Sequence, residues 1–274
     1  MRTSESPAYL ASKTISDFGD QWRRYTDNEG YYGNIEVLKN TFEPLVNLEE
    51  VRGKRVAEIG SGTGRIVKML LEAEAREVTA IEPSAAFEVL RRNLEAETDR
   101  VVLLQVAGNE IPEGRFDFVV SIGVIHHIPD PNPVIAASFR ALKPGGRMVV
   151  WLYGKEGSGL IVNGIRGLRS VTTRLPHVLV AGIAHVLNFA LDIYVLGCRR
   201  VPGLPLGDYV RNVVGRFSRS KRYLVIYDQL RPAFAKYYSQ AEARALLEEN
   251  GFADVRTHFR YGYSWTVVGT RAPN

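Results

Sequence analysis

The residues best suited to chemistry stand in the run EIGSGTGR at 58–65. Its glycines, in the order G-x-G-x-G after a predicted strand, let the chain turn sharply and bring backbone N–H groups close to a ligand. The fingerprint for nicotinamide and flavin cofactors has Gly or Ala where this chain has Arg65, so those cofactors fit poorly. Glu82 ends the next predicted strand, 22 residues after Gly60, where a carboxylate can accept hydrogen bonds from both hydroxyls of a ribose.

Two adjacent histidines, His126 and His127, follow another predicted strand at 116–121. Ligands of open α/β sheets bind at the carboxyl ends of the strands, and a histidine there can take a proton from a reacting group. The other three histidines show no metal-ligand spacing with acids, and the chain has no G-x-S-x-G nucleophile motif. We therefore expect neither a metal nor a serine nucleophile.

Short apolar runs and helical patterns alternate from residue 54 to residue 153. This alternation predicts an α/β fold, with a parallel sheet covered by helices on both faces. The predicted strands are 54–60, 77–82, 101–106, 116–121 and 146–152, with helices near 84–96 and 133–142.

The C-terminal part carries a second set of signals. Ser239 and Glu242 form an S-x-x-E capping box at the start of a predicted helix over 240–250. The runs 253–261 and 263–270 then alternate like two antiparallel strands, with a turn at Gly262 between them.

The net charge of +5 over 274 residues is unevenly distributed. The segment 155–222 holds eleven Lys and Arg against three acids, so the remainder is slightly acidic. Because the basicity is confined to one segment, we expect no nucleic-acid partner.

The single cysteine, Cys198, excludes an internal disulfide and indicates a reducing compartment. The N-terminus lacks the apolar core of a signal peptide, so we expect a cytoplasmic protein.

Four motifs in order resemble the class I S-adenosylmethionine-dependent methyltransferases. They are EIGSGTGR at 58–65, IEPS at 81–84, FDFVVSIGVIHHIPD at 116–130 and LKPGGRMVV at 142–150. The resemblance covers about residues 54–153. It implies a Rossmann-like, seven-stranded, mostly parallel sheet with an antiparallel last strand, S-adenosyl-L-methionine as the cofactor, and methyl transfer as the activity.

By this resemblance, a defined set of residues surrounds the cofactor, with Glu82 on the ribose. The set is Glu58, Gly60, Ser61, Gly62, Gly64, Glu82, Pro83, Ile122 and Gly123. Many relatives have an Asp after the third strand that binds the adenine amino group, but this chain has Ala107 there. We expect backbone groups near Gly108 and the Asn109 side chain to contact the adenine instead.

The resemblance also orders the two histidines. Aligned on the string I-H-H-I-P-D, His126 falls where plant-type small-molecule O-methyltransferases carry their catalytic histidine. We therefore prefer His126 as the general base and keep His127 as the second catalytic candidate. A base matters when the acceptor is a hydroxyl, whose proton must leave as the new bond forms. One of the two rings could instead only pack or bond the backbone.

The segment 155–238 interrupts the sheet pattern, and we expect it to form a helical cap. Residues 175–191 contain no charged side chain, while His185, Asn188 and Asp192 share one helical stripe. Three structures fit this pattern: a cap helix, a helix on a membrane surface, and a membrane span near the lower length limit. The surrounding arginines could attract anionic lipid headgroups, bind a phosphate or carboxylate of the acceptor, or form a solvated face.

Residues 1–50 are predicted to be mostly helical and are rich in aromatic residues. FGDQWRRY at 18–25 resembles a Phe-Gly-x-x-Trp segment that precedes the core in some bacterial methyltransferases. Its rings could close over the cofactor or the acceptor, or pack as an ordinary amphipathic helix. The acceptor-site candidates are Trp22, Tyr31, Tyr32, Tyr153, Tyr227 and Tyr238, with Asp228, Arg231 and Tyr237 as further members.

Together these features predict four parts: an N-terminal helical cap at 1–50, a cofactor-binding core at 51–154, a substrate cap at 155–238, and a closing helix and strand pair at 239–274. We expect an enzyme that O-methylates a small-molecule or lipid-like acceptor, with peripheral membrane contact through 160–222 left open. Carbon or nitrogen methylation, including that of an anionic isoprenoid acceptor, is the alternative chemistry. A scaffold protein that binds the cofactor without transferring methyl groups is the non-enzyme alternative.

Overall fold

The computed structural model describes residues 6–97, 99–156 and 159–273, and of residues 160–162 and 166 it describes only the backbone. Residues 1–5 of the predicted N-terminal helical segment lie outside the described residues. The strands are β1 Arg55–Ile59, β2 Glu77–Ile81, β3 Val101–Leu104, β4 Phe116–Ile122, β5 Leu142–Tyr153, β6 Ala253–Arg260 and β7 Ser264–Thr270. The helices are α1 Pro7–Arg24, α2 Ile35–Phe42, α3 Arg65–Glu72, α4 Phe87–Asn93, α5 Asn132–Ala141, α6 Gly159–Thr172, α7 His177–Arg200, α8 Gly207–Asn212, α9 Arg219–Leu230 and α10 Gln240–Glu248.

The seven strands form one sheet in the order β3-β2-β1-β4-β5-β7-β6. Strands β1 to β5 pair in parallel, and β7 runs antiparallel to both of its neighbours. The predicted mostly parallel sheet with an antiparallel last strand is confirmed. Strand β5 begins earlier than the predicted residue 146, because Leu142 already pairs with Phe116 before a register shift.

Successive residues of the central strands point to opposite faces of the sheet, which gives two apolar cores. Val119 of β4 packs in the core that contains Ile135 of α5 and Leu247 of α10. Its neighbour Val120 packs in the other core, with Leu70 of α3. The continuous apolar runs of these strands follow from this burial on both sides.

The predicted start of α10 is confirmed. The Ser239 hydroxyl accepts a hydrogen bond from the Glu242 N–H at 3.3 Å, and the Glu242 carboxylate accepts one from the Ser239 N–H at 2.9 Å. The strand pair β6 and β7 turns at Gly262, whose φ of +70° is left-handed. The segment 155–238 contributes helices α6 to α9, and α9 packs against both α6 and α7.

Candidate functional site

A cavity of about 620 Å³ lies at the carboxyl ends of β1, β2 and β4, where the strand order reverses. Ten of the predicted cofactor residues line it: Glu58, Gly60, Ser61, Gly62, Glu82, Pro83, Gly108, Asn109, Ile122 and Gly123. Gly64 is a correction, because it does not line the cavity. It caps α3 at a φ of +84°, and an added Cβ would lie 3.0 Å from the Leu90 side chain. Gly64 therefore serves helix packing.

Two glycines of the first loop line this cavity at positions that have no room for a side chain. Gly60 has a φ of +77°, and an added Cβ would lie 2.4 Å from a methyl group of Val124. Gly62 has a φ of +52°, and an added Cβ would lie 3.3 Å from the indole nitrogen of Trp22. A side chain at either position would strain the left-handed backbone and would also crowd its neighbour.

Glu82 fixes the wall of the cavity opposite the glycine loop. One carboxylate oxygen accepts a hydrogen bond from the Gly62 N–H at 2.8 Å, and the other accepts one from the Ser84 N–H at 2.9 Å. Each carboxylate oxygen has a second lone pair. Glu82 thus orders the loop and still has acceptor capacity for hydroxyl groups.

Glu58 lies in the same cavity, at the end of β1. Its side chain is buried, and its Oε2 atom has no hydrogen-bond partner among the described residues. Burial raises the pKa of this carboxyl to about 8. A buried carboxyl with a free oxygen is a site for a cationic ligand group, which would offset the cost of ionisation.

A second cavity of about 170 Å³ adjoins the first. The residues that line both cavities are Phe18, Trp22, Tyr32, Arg65, Ile122, Gly123 and His127. Trp22, Tyr31, Tyr32 and Tyr153, predicted as acceptor residues, all line the second cavity. The arrangement provides one large site and one small site with a shared boundary.

His127 stands on that boundary. Its Nδ1 atom lies 2.8 Å from the main-chain oxygen of Phe234. A carbonyl oxygen can only accept, so Nδ1 carries the proton and Nε2 keeps its lone pair. Burial lowers the pKa of this ring to about 3, so it is neutral at physiological pH. The Phe18 ring contacts it edge-on at 4.8 Å between centroids.

His126, the preferred base, lies elsewhere. Its side chain has no exposed surface and lines neither cavity. The ring packs 3.9 Å from Tyr153 and 5.6 Å from Trp151 between centroids, and neither ring nitrogen has a hydrogen-bond partner among the described residues. Burial, together with His127, holds its pKa well below the ordinary value. The geometry therefore favours His127 over His126 as a proton acceptor.

The far wall of the second cavity comes from α9, β6 and the turn before β7. Asp228 lines it, accepts a hydrogen bond from the Gln21 side chain, and has a pKa raised to about 7 by burial. The Gln229 amide donates to the Tyr263 hydroxyl at 3.0 Å. The lining residues that sequence reasoning missed include Tyr209, Gln229, Arg260 and Tyr263. No shared motif joins them, because they come from α8, α9, β6 and the turn before β7.

Two predicted acceptor residues are corrections. Tyr227 lines neither cavity, because its hydroxyl contacts Nδ1 of His177 at 2.7 Å and its ring packs against α7. Tyr238 is only 1% exposed and packs inside the core beneath the sheet. Arg231 pairs with the buried Asp17 at 3.6 Å.

The basic side chains that the structure describes in 155–222 lie outside both cavities. Arg169 donates to the Gln229 main-chain oxygen at 2.8 Å, and Arg216 lies over the Tyr31 ring at 3.6 Å. The alternative that these arginines hold an anionic group of the acceptor is therefore not supported for the described side chains.

Comparison with known proteins agrees with this geometry. Residues 57–148 match the protein family described as Methyltransferase domain. These residues form a class I methyltransferase domain. The family uses S-adenosylmethionine, and the fold, with its cavity at the strand reversal, is the one implied by the sequence motifs.

Relatives that match this domain are named for methylation at different atoms. The chain is 28% identical over 141 residues to the ubiquinone biosynthesis O-methyltransferase of Nitrosococcus oceani, covering 49% of this chain and 58% of that protein. It is 27% identical over 132 residues to phosphoethanolamine N-methyltransferase 2 of Caenorhabditis elegans, covering 46% of this chain and 28% of that one. The chain thus spans little more than half of the bacterial relative.

Solved structures share the whole fold. The 1,6-didemethyltoxoflavin-N1-methyltransferase of Burkholderia thailandensis, solved with 1,6-didemethyltoxoflavin and S-adenosylhomocysteine, superposes with a TM-score of 0.56 at 16% identity. The match covers 99% of this chain and 93% of that one. At this identity the likeness establishes the fold alone.

The residues of the methyltransferase domain fit S-adenosylmethionine. The unpartnered Oε2 atom of Glu58 suits the cationic amino group of the methionine part, and Glu82 retains acceptor capacity for the ribose hydroxyls. Gly60, which also lines the cavity, has no room for a side chain beside Val124. Gly108 and Asn109 line the cavity after β3, beside Ala107.

Proposed function

We propose that this protein transfers a methyl group from S-adenosylmethionine in the large cavity to a hydroxyl of a small ring compound in the second cavity. When bound, the cofactor supplies a methyl group activated by a sulfonium. The protein residues need to align the acceptor, exclude water and accept one proton. His127 carries the proposal, because it lines both cavities with a lone pair on Nε2.

The proton transfer follows from the fixed tautomer. The hydrogen bond from Nδ1 to the Phe234 carbonyl orients the ring and supports the positive charge that forms when Nε2 takes the hydroxyl proton. Because burial lowers the pKa of His127 to about 3, the ring enters the reaction neutral. Phe18 and Trp22, which line both cavities, are the residues placed to keep water out.

The second cavity indicates the size and character of the acceptor. A cavity of about 150 Å³ holds a benzene-sized ring, and this one has about 170 Å³ with aromatic walls. Asp228 and Gln229 supply polar groups at one end. We therefore infer a single-ring phenol-like acceptor, whose substituents extend beyond the cavity.

The names of the relatives support methyl transfer and leave the acceptor atom open. The N. oceani protein is named for O-methylation, and the C. elegans protein for N-methylation. Oxygen is favoured here because an amine needs no base, whereas a hydroxyl does, and a neutral histidine lies at the boundary of the two cavities. The four parts at 1–50, 51–154, 155–238 and 239–274 fit this function, with α1 and α9 lining the acceptor side.

The test is incubation with methyl-labelled S-adenosylmethionine and a panel of single-ring phenols, anilines and carbon acceptors, followed by identification of the labelled product. We expect label on a phenolic oxygen in the wild type and its loss in His127→Asn. Label on nitrogen or carbon would overturn the assignment to oxygen. Cofactor binding without transfer to the panel or to a cell extract would instead support the scaffold alternative.

A further inference from the structure

An apolar stripe on α7 faces away from the rest of the protein. The stripe comprises Val178, Leu179, Val186, Phe189, Ile193 and Leu196, which are 50–76% exposed. The last four are three or four residues apart, and Leu179 precedes Val186 by two turns, so the six residues form one face. Large apolar side chains grouped in this way indicate an interaction surface.

The opposite face of α7 holds the helix to the protein. Val180 and Ala184 pack against Tyr223 of α9. The Asn188 amide donates to the Arg219 main-chain oxygen at 2.9 Å. Asp192 forms ion pairs with Arg219 at 3.0 Å and Arg222 at 3.1 Å. Asn188 and Asp192 of the predicted polar stripe therefore face α9. His185, the third member, is exposed, with its ring 4.5 Å from that of Tyr223.

Charge decides which partner fits the stripe. Asp192 is the only Asp, Glu, Lys or Arg between positions 177 and 198, and it faces inward, towards Arg219. Arg174 precedes the helix, and Arg199 and Arg200 end it; all three are exposed and form no ion pair among the described residues. The outward face thus has no Asp, Glu, Lys or Arg along its length, the exposed His185 lies at its edge, and positive charge stands at both ends.

We propose that this face of α7 lies on the surface of an anionic lipid bilayer, with its apolar side chains in the acyl boundary and the arginines at the headgroups. Arginines at both ends can reach phosphate groups while the residues between them stay apolar. A coiled-coil pairing of two copies would use charged residues beside the stripe, and 175–191 has none.

Insertion across the bilayer fits the structure less well. Among the described helices, α7 alone is long and apolar enough to cross a membrane. A span would place Asn188 and the ion-paired Asp192 in hydrocarbon, or separate them from α9. The helix α9 also lines the second cavity through Val225, Asp228 and Gln229. A helix lying in the surface plane keeps these contacts and sets the acceptor cavity one helix layer from the lipid.

The experiment is co-sedimentation with phosphatidylcholine vesicles, with and without phosphatidylglycerol, at low and high salt. We expect binding to the anionic vesicles at low salt. The variant Val186→Asn/Phe189→Asn/Ile193→Asn should bind the vesicles about tenfold more weakly or worse, because it removes three apolar side chains from the face proposed to enter the bilayer. The matched control is Val102→Asn, a 40% exposed valine on the edge strand β3, which should bind like the wild type.

The arginines are tested separately. The variant Arg199→Gln/Arg200→Gln should weaken binding to anionic vesicles by roughly fivefold for each arginine and reduce the salt dependence. Absence of wild-type binding at low salt, or wild-type binding by the triple variant, would overturn the proposal. So would light scattering that shows a dimer which the triple variant dissociates without any vesicle binding.

Two further measurements keep the outcomes distinct. If the triple variant does not fold by circular dichroism, Phe189→Trp replaces it, and we expect its added fluorescence to be quenched by brominated lipid; no quenching contradicts the proposal. Calorimetric affinity for S-adenosylmethionine should be unchanged in the triple variant. Vesicle binding and methyl transfer can therefore fail independently.

Discussion

The imidazole of His127 donates through Nδ1 to the main-chain oxygen of Phe234 at 2.8 Å, which leaves Nε2 as the acceptor at the boundary between two cavities. Phe234 lies in the segment that follows α9, more than a hundred residues along the chain. The same segment contacts the histidine loop again, because the Lys236 N–H donates to the His126 main-chain oxygen at 2.8 Å. The segment after α9 thus sets the tautomer of the proposed base.

The first prediction concerns His127→Asn. Asparagine can keep a donor towards the Phe234 oxygen but has no atom at the position of Nε2. We expect turnover to fall by about 10²- to 10⁴-fold, the usual contribution of a general base, with cofactor affinity close to that of the wild type. Steady-state kinetics with calorimetry measures both quantities. Full turnover in the variant would remove His127 as the base.

The second prediction concerns His126→Phe, which serves as the matched control. The His126 ring is buried among aromatic residues with both nitrogens unpartnered in the described structure, so phenylalanine should fit and stabilise the protein by about 1 kcal/mol. Turnover should remain near that of the wild type. A loss as large as that of His127→Asn would show that His126 takes part in catalysis.

The pH dependence of His126→Phe follows from the same burial. The pKa of His126 in the folded protein lies well below 6.5, so below pH 6.5 the unfolded chain takes up a proton that the folded protein does not. This histidine therefore lowers stability as pH falls below 6.5. In the variant, the free energy of unfolding should fall less steeply with pH, by up to about 1.4 kcal/mol per pH unit. Urea unfolding from pH 7 to pH 5 measures this difference. Parallel curves for variant and wild type would contradict the burial argument.

The third prediction links cofactor binding to a proton. The pKa of Glu58 is raised to about 8, so its carboxyl is mostly protonated at pH 7 in the free protein. A cationic ligand group beside it favours ionisation, so binding should release close to one proton, and affinity should rise with pH up to about 8. Calorimetry in buffers of different ionisation enthalpy measures this release. Glu58→Gln should abolish the release, and an unchanged buffer dependence would refute the linkage.

The fourth prediction separates crowding from backbone strain at Gly60. An alanine Cβ there would lie 2.4 Å from Val124 at a φ of +77°. Gly114 has a similar φ of +67°, but a Cβ would meet nothing within 4 Å. Gly114→Ala should cost about 1 kcal/mol of stability, the left-handed penalty alone, and keep cofactor affinity. Gly60→Ala should cost more and weaken cofactor binding; equal effects of the two variants would remove the close-approach argument.

Sequence alone predicted the sheet and most of the proposed cofactor residues that line the large cavity. The strands and the capping box at Ser239 and Glu242 follow from local patterns. The resemblance of the motifs supplied most of the eleven predicted cofactor residues, and ten of the eleven line the large cavity. The reason is that loops after parallel strands meet at one edge of the sheet, so motif order along the chain already fixes which loops are neighbours. Gly64 does not line the cavity, because it caps α3 in a left-handed conformation and packs against Leu90.

Tertiary structure alone separated the environments of the two histidines and assembled the second cavity. His126 and His127 are adjacent in sequence, but only the packing of Tyr153 and the Phe234 carbonyl shows which ring is enclosed and which lines the cavities. Asp228 and Tyr263 lie on separate segments, and no local periodicity brings them together. The outward face of α7 was decided in the same way, because helical spacing defines a stripe but only contacts with α9 show which stripe is covered.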